Sequence, residues 1–139
     1  MTTFFLDTSY VLALELSNEQ QHRIVLNHWR SFTKDSFKLI TTSYIFDEIV
    51  TFLNSRGLHS KAVEVGNRLL VSVQLELIQV DEALFLDSWQ FFQQHVDKSY
   101  SLTDCISFRV MAMRGVNAAL TLDKHFTQAG FQKLPEGEG

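Results

Sequence analysis

The stretch FFLDTSYVLAL (residues 4–14) decides the class of fold. An apolar run of strand character ends at Asp7, and a segment with helical spacing of apolar residues follows at once. A strand that passes directly into a helix is the opening of a β–α unit, so the stretch predicts an α/β domain. By itself it leaves open whether Asp7 only caps the helix or takes part in chemistry.

The rest of the chain repeats this alternation of strand and helix. Glycines at 57 and 115 stand where helix C-termini commonly carry them. The pattern predicts a central parallel sheet of about four or five strands flanked by helices, an α/β/α domain over residues 1–134, with a flexible tail at 135–139. The expected strands are residues 3–6, 38–42, 75–80, 118–122 and 131–134, and the expected helices are 9–16, 19–32, 43–55, 58–71, 81–96 and 103–114.

Composition restricts the class of protein. A chain of 139 residues that is 45% hydrophobic is long enough for one domain with a real core. A single cysteine, Cys105, excludes an internal disulfide and a multi-cysteine zinc site. No apolar run approaches the roughly 20 residues that cross a bilayer, and no signal peptide is evident, so we expect a cytoplasmic protein that is neither secreted nor inserted in a membrane. The formal net charge of -4 offers nucleic acid no global attraction.

Three aspartates are candidates for chemistry. Asp7 and Asp123 follow predicted parallel strands, so both should lie at the carboxyl edge of the sheet, where open α/β folds bind ligands. Asp104 begins a helix that is apolar nearly all round, and it shares a face with Phe108 and Met111. A buried carboxylate must become protonated, pair with a base or bind a metal ion.

Each of these aspartates also has a purely structural interpretation. Asp7 could cap the helix that begins near Ser9, and Asp123 could cap the short turn DKHF that it opens. The sequence SLTD, which ends at Asp104, fits a capping box. Asp81 precedes a helical segment and is predicted to be a plain N-cap.

A fourth acid is harder to place. Asp47 and Glu48 are neighbours on the helix SYIFDEIVTFL, and Glu48 borders its apolar stripe near Phe52 while Asp47 lies deeper in the polar face. Helical periodicity therefore favours Glu48 only slightly as the fourth candidate acid, and both Asp47 and Glu48 could be solvated charges.

Four segments taken together resemble the PIN-domain ribonucleases, and most of all the toxin subunits of bacterial VapBC toxin-antitoxin systems. The segments are FFLDTSYVLAL, TTSYIFDEIVTFL, SLTDCISFRVMAMRGV and AALTLDKHFTQAGF, in this order and spacing. The resemblance implies a metal-dependent ribonuclease whose catalytic acids and metal ligands are Asp7, Glu48, Asp104 and Asp123. It also assigns supporting or water-orienting roles to the hydroxyl side chains of Thr8, Ser9 and Thr103.

The implied cofactor is Mg²⁺ or Mn²⁺, because all-oxygen ligand sets suit hard cations. The implied partners are an RNA substrate, a cognate antitoxin and a second copy of the chain in a homodimer. Arg109 and Lys124 are candidates for contacts with RNA phosphates. Where many family members carry a further acid, this chain reads DKHF. We expect its His125 to be a surface side chain, with a metal-binding or general-base role as the alternative.

A different class of function also fits the sequence. Residues 19–34 and 81–96 carry apolar and aromatic side chains along one side, and these could form the core or a groove for a partner helix. The chain would then be a non-catalytic binding module whose acids are helix caps. A third hypothesis, a phosphatase-like hydrolase with Asp7 as nucleophile, has less support, because such an enzyme would need a second aspartate where Ser9 stands.

Overall fold

A computed structural model describes residues 1–137 of the chain. Within them, five strands form one parallel sheet in the order β3-β2-β1-β4-β5. This confirms the predicted α/β architecture. The strands are β1 (Thr3–Leu6), β2 (Lys38–Thr42), β3 (Leu75–Ile78), β4 (Ala118–Leu120) and β5 (Gln132–Leu134).

The helices flank this sheet and pack against one another in two groups. The first group joins α1 to α2 and α3, and α3 to α4, while the second joins α5 to α6 and α6 to α7. The helices are α1 (Thr8–Glu15), α2 (His22–Phe32), α3 (Ser43–Ser55), α4 (His59–Val71), α5 (Glu82–Gln94), α6 (Leu102–Arg114) and α7 (His125–Gln128).

The core forms around the central strand. Phe5 of β1 and Leu120 of β4 are fully buried, and the register of the two strands places Leu6 beside Leu120. Two residues of α6, Ile106 and Met111, are also fully buried. The apolar character of α6, which the sequence showed on nearly every side, therefore reflects packing in the interior.

The predicted elements agree with the structure except near a few ends. The first three residues predicted for α2, 19–21, instead belong to an irregular turn, in which the Glu19 N–H donates to the Leu16 carbonyl at 3.0 Å. The short helix α7 was predicted as a turn. Gly57 and Gly115 follow α3 and α6 with φ of 74° and 65°, as expected of helix C-termini. Part of the tail predicted to be flexible, residues 138–139, lies outside the described residues.

The helices of the described chain are short. None of those within residues 1–137 combines the length and apolar character that crossing a bilayer requires.

Candidate active site

The two strand-end aspartates lie at the same edge of the sheet, as the sequence predicts. Asp7 follows the C-terminal end of β1, and its N–H donates to the Leu120 carbonyl of β4 at 3.0 Å. Asp123 lies three residues beyond the end of β4. Because β1 and β4 are parallel neighbours, their carboxyl ends meet.

Asp7 does not act as a cap through its side chain, although it stands at the N-cap position of α1. Its carboxylate makes no cap hydrogen bond within the described chain. Instead, the hydroxyls of Ser9 and Thr121 both donate to Asp7 Oδ2, at 2.8 and 2.7 Å. Asp7 is only 5% exposed, and no side chain among residues 1–137 donates a hydrogen bond to its second oxygen, Oδ1. One carboxylate oxygen is thus held in place and the other is left for a ligand.

Burial and neighbouring charge both disfavour ionisation of Asp7 and Asp104. The pKa of Asp7 is raised to about 6, mainly by burial and in part by the charges of Asp104 and Asp123, against the lowering effect of the Thr121 and Ser9 hydrogen bonds. Burial likewise raises the pKa of Asp104, with Asp123 adding to the effect.

Asp104 reaches this space from the first turn of α6. It forms the predicted capping box, in which the Asp104 N–H donates to Ser101 Oγ at 2.9 Å and the Ser101 N–H donates to Asp104 Oδ2 at 3.1 Å. Asp123 also forms a local bond, accepting the His125 N–H at 2.9 Å. For these two acids the capping role and a place in the acidic cluster coexist.

Glu48 joins the site through α1. The Thr8 hydroxyl, next to Asp7 in the chain, donates to Glu48 Oε1 at 2.6 Å. Asp47 is exposed and accepts from the Thr51 hydroxyl of its own helix at 3.2 Å. Of the two adjacent acids, it is Glu48 that points toward the strand-end aspartates.

His125 lies closer to the acids than its sequence context indicates. Its Nδ1 atom is 3.1 Å from Asp104 Oδ2 and 3.4 Å from Asp123 Oδ1. The His125 side chain is 23% exposed, so it is a half-buried side chain that contacts the acids. One ligand atom from each of these three residues lies within 4.8 Å of the others.

Thr121 is a residue that the sequence reasoning missed. Its hydroxyl donates to Asp7 and accepts the Asp123 N–H at 3.0 Å, so it links the two strand ends. The available signal was its position at the end of a buried strand, two residues before Asp123, where hydroxyls commonly bond local backbone.

The remaining candidates contribute less to the cluster. Arg109 donates to Asp87 of α5 at 2.8 Å, and Lys124 is exposed beside Asp123. Thr103 is half-buried in the first turn of α6, where its carbonyl accepts the Ser107 hydroxyl. Cys105 is buried and burial raises its thiol pKa to about 11, which fits the expected role as an apolar packing residue.

The donor set fits a divalent cation. It offers carboxylate oxygens on three or four side chains, one of them the free Oδ1 of buried Asp7. Such oxygens are the ligands that Mg²⁺ and Mn²⁺ prefer. A cation would also offset the burial and the mutual repulsion that together raise the pKa of Asp7 and of Asp104.

Comparisons with known proteins agree with this geometry. The sequence profile described as "PIN domain" matches residues 4–132. The 23S rRNA-specific endonuclease VapC20 of Mycobacterium tuberculosis is 31% identical over 131 residues, which cover 94% of this chain and 96% of the relative. The crystal structure of M. tuberculosis VapC20, described as a sarcin-ricin loop cleaving toxin, superposes with a TM-score of 0.83 at 28% identity and covers 92% of this chain and 95% of that one. FitAcB of Neisseria gonorrhoeae shares the fold, with a TM-score of 0.63, 15% identity, and coverage of 94% and 95%.

Proposed function

The chain belongs to the PIN domain family, and on this premise we propose that it is an endoribonuclease that hydrolyses RNA phosphodiester bonds with Mg²⁺ or Mn²⁺. The observation that carries the proposal is the acidic cluster at one edge of the sheet, where Asp104 and Asp123 lie within metal-sharing distance and Thr121 links Asp7 to the Asp123 backbone. A cation that relieves repulsion among buried acids is the simplest reason for a protein to collect them.

The acidic side chains and the hydroxyls beside them have different roles in this proposal. Asp7, Asp104 and Asp123 hold the cation directly or through water, and Glu48 is either a further ligand or the group that orients the attacking water. When bound, the cation neutralises charge at the scissile phosphate and lowers the pKa of a water in its shell. Ser9 supports this arrangement by orienting Asp7, and Thr8 does so by orienting Glu48. We assign Thr103 a supporting role from its place beside Asp104.

Lys124 is the better of the two candidate contacts with RNA phosphates. It is exposed and adjoins Asp123 in the chain. Arg109 would first have to leave its ion pair with Asp87. Because the protein carries a net charge of -4, local cations of this kind and the bound metal ion must supply the attraction for a polyanion.

We further propose that the protein is the toxin of a type II toxin-antitoxin pair, acts in the cytoplasm on a structured ribosomal RNA loop, and forms a homodimer. The similarity to VapC20, named as a 23S rRNA-specific endonuclease, supports the substrate class. A cavity of about 390 Å³, lined by Tyr10, Leu14, Trp29 and Leu69 among others, offers an apolar surface to an antitoxin segment. Residues 1–134 would be sufficient for activity.

A non-catalytic binding module remains the second candidate, because part of one helix is apolar and exposed. Leu86, Trp89 and Phe92 of α5 are 54%, 44% and 36% exposed, and the two rings stack at 5.3 Å. The first of the two segments considered for a groove also contributes to the core, through buried Val25 and partly buried Trp29. The binding module predicts no cleavage with any cation.

The experiment compares three variants that each replace a carboxylate by its amide. Asp7→Asn and Asp104→Asn alter the acidic cluster, while Asp81→Asn is the matched control, since Asp81 caps α5 by accepting the Leu84 N–H at 2.9 Å and asparagine caps equally well. The substrate is an RNA hairpin carrying the sarcin-ricin loop, and a hairpin with a scrambled loop is the specificity control. Cleavage is followed with Mg²⁺, with Mn²⁺ and with EDTA.

We expect Asp7→Asn and Asp104→Asn to lose activity by about 100-fold or more, since even residues that only support metal ligands contribute about 10- to 100-fold. Asp81→Asn should cleave like the wild type, and EDTA should abolish cleavage in every protein. Full activity of the first two variants would refute the site assignment. Equal cleavage of both hairpins would refute the substrate class alone.

A further inference from the structure

His125 places a nitrogen atom where the acidic cluster converges. Its Nδ1 lies 3.1 Å from Asp104 Oδ2 and 3.4 Å from Asp123 Oδ1. All three ligand atoms lie within 4.8 Å of one another. Two ligands of one cation, each about 2.1–2.2 Å from it, stand at most about 4.4 Å apart. The two distances from Nδ1, 3.1 and 3.4 Å, are within this limit.

The imidazole is held in this position from several sides. The His125 N–H donates to Asp123 Oδ1 at 2.9 Å, which ties the start of α7 to the acid. The edge of the ring meets Tyr100, with centroids 5.4 Å apart and planes at 78°. The next residue, Phe126, is fully buried and anchors the segment in the core. The ring therefore needs little reorganisation to bind an ion, which favours affinity.

An independent feature points to a ligand at the same place. Asp7 is 5% exposed and its Oδ2 receives two hydroxyl donors, whereas Oδ1 accepts from no side chain of the described residues. Thr121 Oγ1 donates to Asp7 Oδ2 and accepts the Asp123 N–H, so the Asp7 carboxylate adjoins the cluster that includes His125. Oδ1 is not among the fully buried side-chain atoms that lack a partner within residues 1–137, so it is the oxygen through which this carboxylate is open to a ligand.

From this geometry we propose that His125 Nδ1 is a ligand of the catalytic metal ion, so that the site is a mixed nitrogen and oxygen site that prefers Mn²⁺ to Mg²⁺. The proposal rests on the proposed function, because it concerns the same cation. Without a metal ion, Nδ1 donates its proton to Asp104 Oδ2 at 3.1 Å. Binding an ion requires the neutral imidazole with the proton on Nε2, in which the Nδ1 lone pair is directed between the two carboxylates.

The preference follows from ligand chemistry. Mg²⁺ takes oxygen ligands in a near-ideal octahedron and gains little from an imidazole. Transition-metal ions accept imidazole readily, and Mn²⁺ tolerates both carboxylate and nitrogen ligands. Replacing His125 by aspartate would restore an all-oxygen set, which should lower the affinity for Mn²⁺ relative to that for Mg²⁺.

The competing role for His125 is that of a counter-ion. A protonated imidazole between two carboxylates would balance charge in the metal-free protein and then move away when a cation binds. In that case no nitrogen would be bonded to the metal. The two roles are therefore distinguished by whether nitrogen is detected at the bound ion.

The test uses full-length protein without a histidine tag. Pulsed electron paramagnetic resonance of the Mn²⁺-loaded wild type should show coupling to ¹⁴N, and biosynthetic labelling with ¹⁵N-histidine should change that coupling to the ¹⁵N pattern. Calorimetric titration should show that the ratio of Mn²⁺ to Mg²⁺ affinity falls about tenfold in His125→Asp. His59→Asn is the matched control, since His59 is exposed and bonds Asn54.

Bound Mn²⁺ without histidine nitrogen coupling would overturn the proposal and leave the ribonuclease assignment intact. An unchanged affinity ratio in His125→Asp would do the same. Failure of the wild type to bind either ion would refute the proposed function along with this inference. The wild-type spectrum decides the question even if His125→Asp does not fold.

Discussion

At the scale of single residues, the burial of Asp7 destabilises the metal-free protein. The side chain is 95% hidden from solvent next to two other acids, and its pKa rises from 3.8 to about 6 as a result. Hydroxyl donors from Ser9 and Thr121 reduce this cost without removing it. A buried carboxylate whose pKa is raised in this way destabilises the metal-free fold whenever it is ionised.

Asp7→Asn should therefore stabilise the metal-free protein at neutral pH. Between about pH 4 and 6 the native state binds more protons than the unfolded state, so this residue makes stability fall as pH rises through that window. The variant lacks the effect and should be more stable by up to about 3 kcal/mol at pH 7.5, since one pKa unit corresponds to about 1.4 kcal/mol. The advantage should vanish toward pH 4.

Urea denaturation in EDTA at several pH values measures this difference, with Asp81→Asn as a control for the exposed cap. A variant less stable than the wild type at pH 7.5 would mean that Asp7 is not strained by burial as proposed.

At the scale of elements, two helices bring acids to the sheet edge from different directions. α6 carries Asp104 in its first turn, where the capping box fixes the start of the helix. α3 carries Glu48, and the Thr8 hydroxyl of α1 holds it at 2.6 Å. The geometry of the site therefore depends on how α1 packs against α3, which are in direct contact.

Thr8→Val should reduce cleavage by about tenfold while the fold persists. The substitution keeps the shape of the side chain but removes the donor that orients Glu48, and partners that orient site ligands typically contribute 10- to 100-fold. Thr51→Val on α3 is the matched control, because it removes the same kind of bond from Asp47 at an exposed site. Cleavage rates and circular dichroism of both variants check the prediction, and equal losses in the two would contradict it.

At the scale of the whole molecule, the fold concentrates negative charge at one edge of an already acidic protein. The net charge is -4, and the raised pKa values of Asp7 and Asp104 show that their ionisation is opposed in the native state. Only the folded chain brings these acids together, so a cation that binds them should act as a stabilising ligand.

Mn²⁺ should therefore raise the melting temperature of the wild type. At about 100 times the dissociation constant, the ion contributes about 2.7 kcal/mol, which corresponds to roughly 8 °C in a protein of this size. Asp104→Asn should show a smaller rise, although it should melt no lower than the wild type in EDTA, because burial raises the pKa of Asp104. Differential scanning fluorimetry with Asp81→Asn as control measures both, and an undiminished rise in Asp104→Asn would exclude that residue as a ligand.

Much of this architecture is encoded locally. The alternation of apolar runs and helical periods predicts all five strands and the six longer helices of the described chain, and Gly115 marks the end of α6. The predicted start of α2, at residue 19, was wrong because the residues before His22 form a turn. Helical periodicity of apolar residues does not reveal such a turn. Capping by Asp81 and by the Ser101 box was equally readable, because caps involve residues three apart in sequence.

By itself, then, the sequence determined the fold class and the order of the strands and predicted the candidate acids, through short-range patterns and a family resemblance. Only the tertiary structure decided that Asp7 accepts from Thr121 instead of capping α1, that Thr8 holds Glu48, and that His125 faces Asp104. These contacts join residues 114, 40 and 21 positions apart. Local patterns carry no information about such distances, because packing of the helices on the sheet creates them.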